Sequence, residues 1–113
     1  MVSLQDMVDL EREIEAYLVK RVKSVGGRAY KFVSPSNRGV SDRIVCLADG
    51  TTHFIELKRP GGKVSPLQDM FAREMALLNQ SYDCLWSKEE VDKWISDHTS
   101  TTPLISCSPA TAP

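Results

Sequence analysis

The sequence is short of the features that mark most specialised protein classes. Its three cysteines, Cys46, Cys84 and Cys107, are odd in number, widely spaced and free of any C-x-x-C pair. That argues against a disulfide scaffold or a zinc site and fits reduced thiols in a cytosol. No apolar run approaches the roughly 20 residues that span a bilayer. The opening residues, Met1-Val2-Ser3-Leu4-Gln5-Asp6, lack the basic-then-apolar pattern of a secretory signal, so no membrane association is expected. There is no internal repeat and no sign of a second domain. At 113 residues, 42% of them hydrophobic and 26% charged, the chain supports one small core. The net charge of −1 does not advertise a nucleic-acid binder. Locally, however, one sign of charge is missing. From Ala16 to Ser41 there is no acid, while Lys20, Arg21, Lys23, Arg28, Lys31 and Arg38 supply cations, and Arg43, Lys58, Arg59 and Lys63 extend the run. A basic face around an acidic pocket suits phosphate binding near a metal, and a solvated charged surface is the plainer alternative.

The patterning places the elements. Met7, Leu10, Ile14, Leu18, Val22 and Val25 recur at helical spacing over Leu4 to about Val25, and Gly26-Gly27 ends that helix. Glu11 and Glu15 share a side of it, next to the apolar stripe. Arg28 to Val33 alternates as a strand, Ser34 to Gly39 is a loop, and Val40–Leu47 and Thr51–Lys58 form two more strands. Ser65-Pro66-Leu67-Gln68 is a capping box that opens a helix with Leu67, Met70, Phe71, Met75 and Leu78 inward. Tyr82 to Trp86 is a fourth strand. Ser87-Lys88-Glu89-Glu90 is a second capping box, starting a helix to about Asp97 with Val91, Trp94 and Ile95 inward. Residues 1–98 are expected to form the domain, and 99–113, rich in Ser, Thr, Pro and Ala, a flexible tail.

The chemistry gathers between Arg38 and Lys58. Asp42 stands at the mouth of one strand, and Glu56-Leu57-Lys58 lies in the next. Charged groups in apolar strands need a partner or a task. The turn decides whether they meet. A two-residue Asp49-Gly50 turn pairs Ala48 with Thr51 and sets Asp42 against Leu57. A three-residue Ala48-Asp49-Gly50 loop with Gly50 left-handed sets Asp42 against Glu56, with Cβ atoms about 5 Å apart and Lys58 next on that face. The opposite face then carries Val45, Leu47, Ile55 and Leu57. A shared metal requires the second arrangement or a local irregularity at Asp42. Two carboxylates favour Mg²⁺ or Mn²⁺ over zinc. Lys58 is placed to orient or deprotonate an attacking water, or to neutralise charge in a transition state. The competing reading of Glu56 and Lys58 is a salt bridge on a strand edge.

The combined pattern resembles the VRR-NUC branch of the PD-(D/E)xK nucleases. The resemblance runs through Ile14-Glu15-Ala16-Tyr17-Leu18-Val19-Lys20, Gly26-Gly27, Tyr30-Lys31-Phe32-Val33-Ser34-Pro35 and Arg38-Gly39-Val40-Ser41-Asp42-Arg43. It continues through Phe54-Ile55-Glu56-Leu57-Lys58, Pro60-Gly61-Gly62-Lys63 and Ser65-Pro66-Leu67-Gln68, covering roughly Glu11 to Ile95. It implies an α/β restriction-endonuclease-like core in the order α-β-β-β-α-β-α, with a mixed central sheet flanked by helices. It implies a Mg²⁺ or Mn²⁺ ion held by Asp42, Glu56 and the backbone carbonyl of Leu57, completed by Glu11 or Glu15. Lys58 would be the catalytic lysine and Gln68 the site glutamine, with Lys31, Ser34, Arg38, Arg43, Arg59 and Lys63 toward DNA. The family usually has proline where this chain has Ser41, which bears on loop rigidity. By the same resemblance the chain would be a stand-alone viral or prophage-type enzyme, in a bacterial or phage-infected host cytoplasm. It would act as a homodimer on branched DNA, as a four-way junction resolvase. A flap or nicking nuclease without junction preference, and a catalytically silent DNA-binding module, are the alternatives.

Overall fold

A computed structural model describes residues 4–33, 39 and 41–99, with side chains from Leu10 onward. Ser34, Arg38, Cys107 and the rest of the tail from residue 100 lie outside the described residues, as does the side chain of Met7. The order is α1 (Leu4–Ser24), β1 (Arg28–Lys31), β2 (Arg43–Cys46), β3 (Thr52–Leu57), α2 (Pro66–Leu77), β4 (Ser81–Leu85) and α3 (Lys88–Thr99). The strands lie in the order β1-β2-β3-β4. The first three pair antiparallel and β4 pairs parallel to β3 across the α2 crossover, so the sheet is mixed. This is the α/β architecture expected from the sequence. No helix among the described residues is long and apolar enough to cross a membrane, and Cys46 and Cys84 form no disulfide.

One face of the sheet carries Val45, Ile55, Leu57 and Leu85, covered by Ile14, Leu18 and Val22 of α1 and by Val91, Trp94 and Ile95 of α3. Burial of these side chains is the main stabilising term, at about 1.5–3 kcal/mol for each one fully covered. Gly26 ends α1 at φ +85, a conformation that costs glycine little. At Gly27 a Cβ would stand 2.8 Å from the Cys46 carbonyl oxygen, so the bare backbone lets the end of α1 approach the sheet.

The other face is covered by α2 through Phe71, whose ring meets Phe54 of β3 and Tyr82 of β4. Here the sequence expectation needs correction. Of the inward set Leu67, Met70, Phe71, Met75 and Leu78, only Phe71 is buried. Leu67, Met70 and Leu78 are exposed by 45%, 64% and 57%. The helix touches the sheet along one narrow line, so a stripe wide enough for a full helix face is mostly left outside it. The strands are also shorter than expected. β1 ends at Lys31 and β2 begins only at Arg43; at the start of β2 the Asp42 carboxylate takes the Leu57 N–H (3.0 Å) in place of a regular ladder bond to β3.

Candidate active site

The hairpin settles the turn. Arg43 pairs with Ile55 and Cys46 with Thr52. Leu47 N–H donates to the Thr51 carbonyl (2.9 Å), and Gly50 sits at φ +90. This is the three-residue loop, with Asp49 accepting from both the Thr51 N–H and its hydroxyl. Followed one step outward, the register sets Asp42 opposite Glu56. Even numbers on β2 and β3 share the α2 face, and the parallel partner of Glu56 on β4 is Cys84.

Glu56 is 1% exposed, a carboxyl in the interior of the domain. One oxygen is well served. Oε2 accepts from the Gln68 amide at 2.8 Å and lies 3.8 Å from the Lys58 ammonium. The other, Oε1, is buried with no hydrogen-bond partner. Native proteins leave few such atoms, since each costs about 1–3 kcal/mol. Burial first, and then the negative charge of Asp42, push the Glu56 carboxyl up to about 8, although Lys58 pulls the other way. Without a cation, therefore, the site disfavours a second negative charge beside Asp42 away from solvent. Hard carboxylate oxygens with one acceptor open are what a divalent cation would complete.

Gln68 fills two places at once. Its backbone N–H donates to Ser65 Oγ (3.2 Å), and its side-chain oxygen accepts from Ser65 N–H (2.9 Å), which closes the capping box. Its amide nitrogen meanwhile reaches Glu56. Gly39 seats the loop that leads to Asp42 against this same turn. At φ +85, a Cβ there would lie 2.5 Å from the Leu67 backbone carbonyl, so no side chain fits.

The two helix glutamates separate. Glu15 accepts from Lys31 (2.9 Å) and Arg43 (2.8 Å). Burial opposes its charge, but those two cations outweigh it and hold the carboxyl below the usual range. Glu11 is half-buried, and its charge is felt at Glu56. Among the described residues, no three His, Cys, Asp or Glu side chains gather into a metal-holding group. The pair of carboxylates that could hold a cation is Asp42 and Glu56, with the charge of Glu11 felt there. Leu57 has a fully buried side chain and donates its N–H to Asp42.

The basic residues also divide. Arg43 faces the α1 side, bonded to Glu15 and to the Ala29 carbonyl. Lys31 pairs with Glu15 while staying 55% exposed. Arg59 and exposed Lys63 follow directly after Lys58. Two neighbours of Glu56 escaped the sequence reading. Burial, then the charge of Glu56, push the Cys84 thiol up to about 12, and the same pair of causes raises the Tyr82 hydroxyl. Strand alternation assigns both to the site face, but their register behind a crossover helix is not written in local sequence.

No family model matches the sequence. Among curated proteins the chain is 53% identical over 58 residues to p44 of Acyrthosiphon pisum secondary endosymbiont phage 1, named as a candidate nuclease. The match covers 51% of this chain and spans 62% of that protein's length. Among solved structures, a VRR_NUC domain superposes with a TM-score of 0.70 over 76% of this chain and 94% of that one, at 24% identity. The chain has the fold of a VRR_NUC domain. That agrees with the resemblance drawn from its motifs.

Proposed function

We propose that this VRR_NUC-fold chain is a divalent-metal-dependent DNA endonuclease, hydrolysing phosphodiester bonds in branched DNA and acting as a homodimer on four-way junctions. The observation that carries the reading is the buried, unpartnered Oε1 of Glu56 opposite Asp42, with Lys58 and Gln68 at the other oxygen. Glu15, by contrast, takes both its cations on Oε2 and keeps a side chain 20% exposed, so its other oxygen is not sealed from solvent as Glu56 Oε1 is. Asp42 and Glu56 would hold Mg²⁺ or Mn²⁺, with Glu11 nearby. Such an ion, when bound, polarises a phosphoryl oxygen and favours a hydroxide-like nucleophile.

The chain's own groups do the rest. The Lys58 ammonium stands at the edge of the carboxylate pair, where it can orient a water against phosphorus and neutralise charge as the P–O bond breaks. Gln68 holds Glu56 in one rotamer. Lys31, Arg59 and Lys63 present cations for backbone phosphates on either side, a sequence-independent grip. Such contacts read shape and not bases, which suits a structure-selective enzyme. Two-fold association would give one active site for each of two symmetric strands. The similarity to a phage protein named as a candidate nuclease supports the same reading.

The test is a cleavage panel with Mn²⁺ over four-way junctions, flaps, splayed arms and linear duplex. Paired, symmetric cuts near the branch of the four-way junction are expected. Equal cutting of all substrates would refute junction preference while leaving the nuclease. No cutting of any substrate, with Mn²⁺ still bound, would favour a silent DNA-binding module.

A further inference from the structure

Gln68 could present either end of its amide to Glu56, and the two ends are chemically opposite. One gives Glu56 a hydrogen bond. The other sets a carbonyl oxygen against a carboxyl group. The choice is made by Ser65. Its backbone N–H lies 2.9 Å from one terminal atom of the Gln68 amide, and an N–H can only donate. That atom must be the oxygen, so the NH₂ must face Glu56 Oε2, 2.8 Å away. The turn is held in place by the reciprocal bond from Gln68 N–H to Ser65 Oγ and by Pro66 at the first helical position. Helix capping and site orientation thus share three hydrogen bonds that link Ser65, Gln68 and Glu56.

We propose that Ser65 is a positioning residue for the cation site. Through its backbone N–H it locks the Gln68 amide so that Glu56 Oε2 is anchored and Oε1 is the oxygen left for the cation. This rests on reading Glu56 as a cation ligand. It adds a residue that stands outside the Asp42–Glu56–Lys58 constellation and touches neither cation nor substrate.

The two bonds of Ser65 can be separated by substitution. Ser65→Ala deletes Oγ and keeps the N–H. Ser65→Pro deletes both, and the Ser65 backbone, at φ −73 and ψ 159, already suits proline. Gln68→Glu keeps an oxygen for the Ser65 N–H but has no donor for Glu56. The first readout is the metal-free protein by NMR. In wild type and Ser65→Ala, one Gln68 side-chain NH₂ proton is expected downfield and slow to exchange, and the Ser65 amide protected. In Ser65→Pro the Gln68 signature is expected to be lost. In Gln68→Glu the Ser65 amide is expected to stay protected.

The second readout is Mn²⁺ binding by titration calorimetry. Ser65→Ala is expected within about twofold of wild type, while Ser65→Pro and Gln68→Glu weaken binding by about 10- to 100-fold, the range for residues that orient a metal ligand. A folded Ser65→Pro with both the wild-type Gln68 signature and wild-type Mn²⁺ affinity would overturn the proposal. So would an unprotected Ser65 amide in the wild-type protein, which decides the matter even if Ser65→Pro does not fold. If wild type binds no Mn²⁺, the cation reading fails, and the NMR arm still reports on the lock.

Discussion

Glu15 and Glu56 are two largely covered glutamates in one small domain, and the fold treats them in opposite ways. Glu15 lies between Lys31 and Arg43, which hold its carboxyl below the ordinary range. Glu56 is deeper, shares one oxygen between Gln68 and Lys58, faces the like charge of Asp42 and is pushed up to about 8. A carboxylate that serves stability is surrounded by the charges that satisfy it. One that serves chemistry is left short by about one cation. Each takes two contacts on Oε2, but Glu15 meets two cations there and stays 20% exposed, whereas Glu56 has its second oxygen buried with no partner.

The largest expected effect comes from the group that stands at Glu56 without closing its free oxygen. Lys58→Ala should lower cleavage about 10²- to 10³-fold, the usual loss for one electrostatic group at a reacting phosphate or acyl centre. The unfolding midpoint should hardly move, because the 3.8 Å contact is long. Single-turnover cleavage beside a thermal melt checks both.

Next in size is a pair of opposite pH dependences. The folded Glu56 keeps its proton to higher pH than the unfolded chain, from 4.5 up to about 8. The metal-free protein is therefore most stable below about pH 4.5 in this respect, and that contribution is lost as pH rises to about 8. Glu56→Gln should remove the decline, stabilising the metal-free chain at pH 9 by up to a few kcal/mol and leaving it nearly unchanged at pH 4. Glu15 has the other sign. Its lowered carboxyl stabilises above the unfolded value of 4.5, and the gain is lost as pH falls through the folded value. Glu15→Gln should cost about 1 kcal/mol at pH 7 and nothing in acid. Urea unfolding of both variants from pH 4 to 9, with chelator present, tests the contrast.

A third effect bears on how the two arms of the site are held together. Gly39→Ala meets a positive φ and the Leu67 backbone at once, so it should destabilise by at least about 1–3 kcal/mol. It should also weaken Mn²⁺ binding, since it parts the loop leading to Asp42 from the turn carrying Gln68. The smallest effects are expected at the rim. Arg59→Ala or Lys63→Ala should each weaken DNA binding alike for every substrate and reduce the salt slope by about one.

Much of this was legible in the sequence, for reasons that can be named. Asp49-Gly50 with alternating flanks allowed only two registers, and the one that aligned Asp42 with Glu56 also buried Val45, Leu47, Ile55 and Leu57. Ser65-Pro66-x-Gln68 stated its own helix start. These are local signals, written within a few residues. Arg43 was not legible, because strand parity turns it toward α1 and only the fold brings Glu15 to meet it. The exposed flank of α2 was not legible either, since helical spacing shows that a face is apolar but not how much sheet lies beneath it. Tyr82 and Cys84 depend on the parallel register of β3 and β4, which a twelve-residue crossover helix leaves open. Glu11 and Glu15 were equivalent by spacing, and the cations around Glu15 distinguish them.

The most direct test of the central claim is calorimetric titration of Mn²⁺ into wild type, Glu56→Gln and Glu15→Gln at pH 7 in two buffers of different ionisation enthalpy. Wild type and Glu15→Gln should bind with similar affinity and release close to one proton, drawn from Glu56, and Glu56→Gln should lose binding. Wild-type affinity in Glu56→Gln, or loss of binding in Glu15→Gln alone, would contradict the assignment of the open oxygen to a cation.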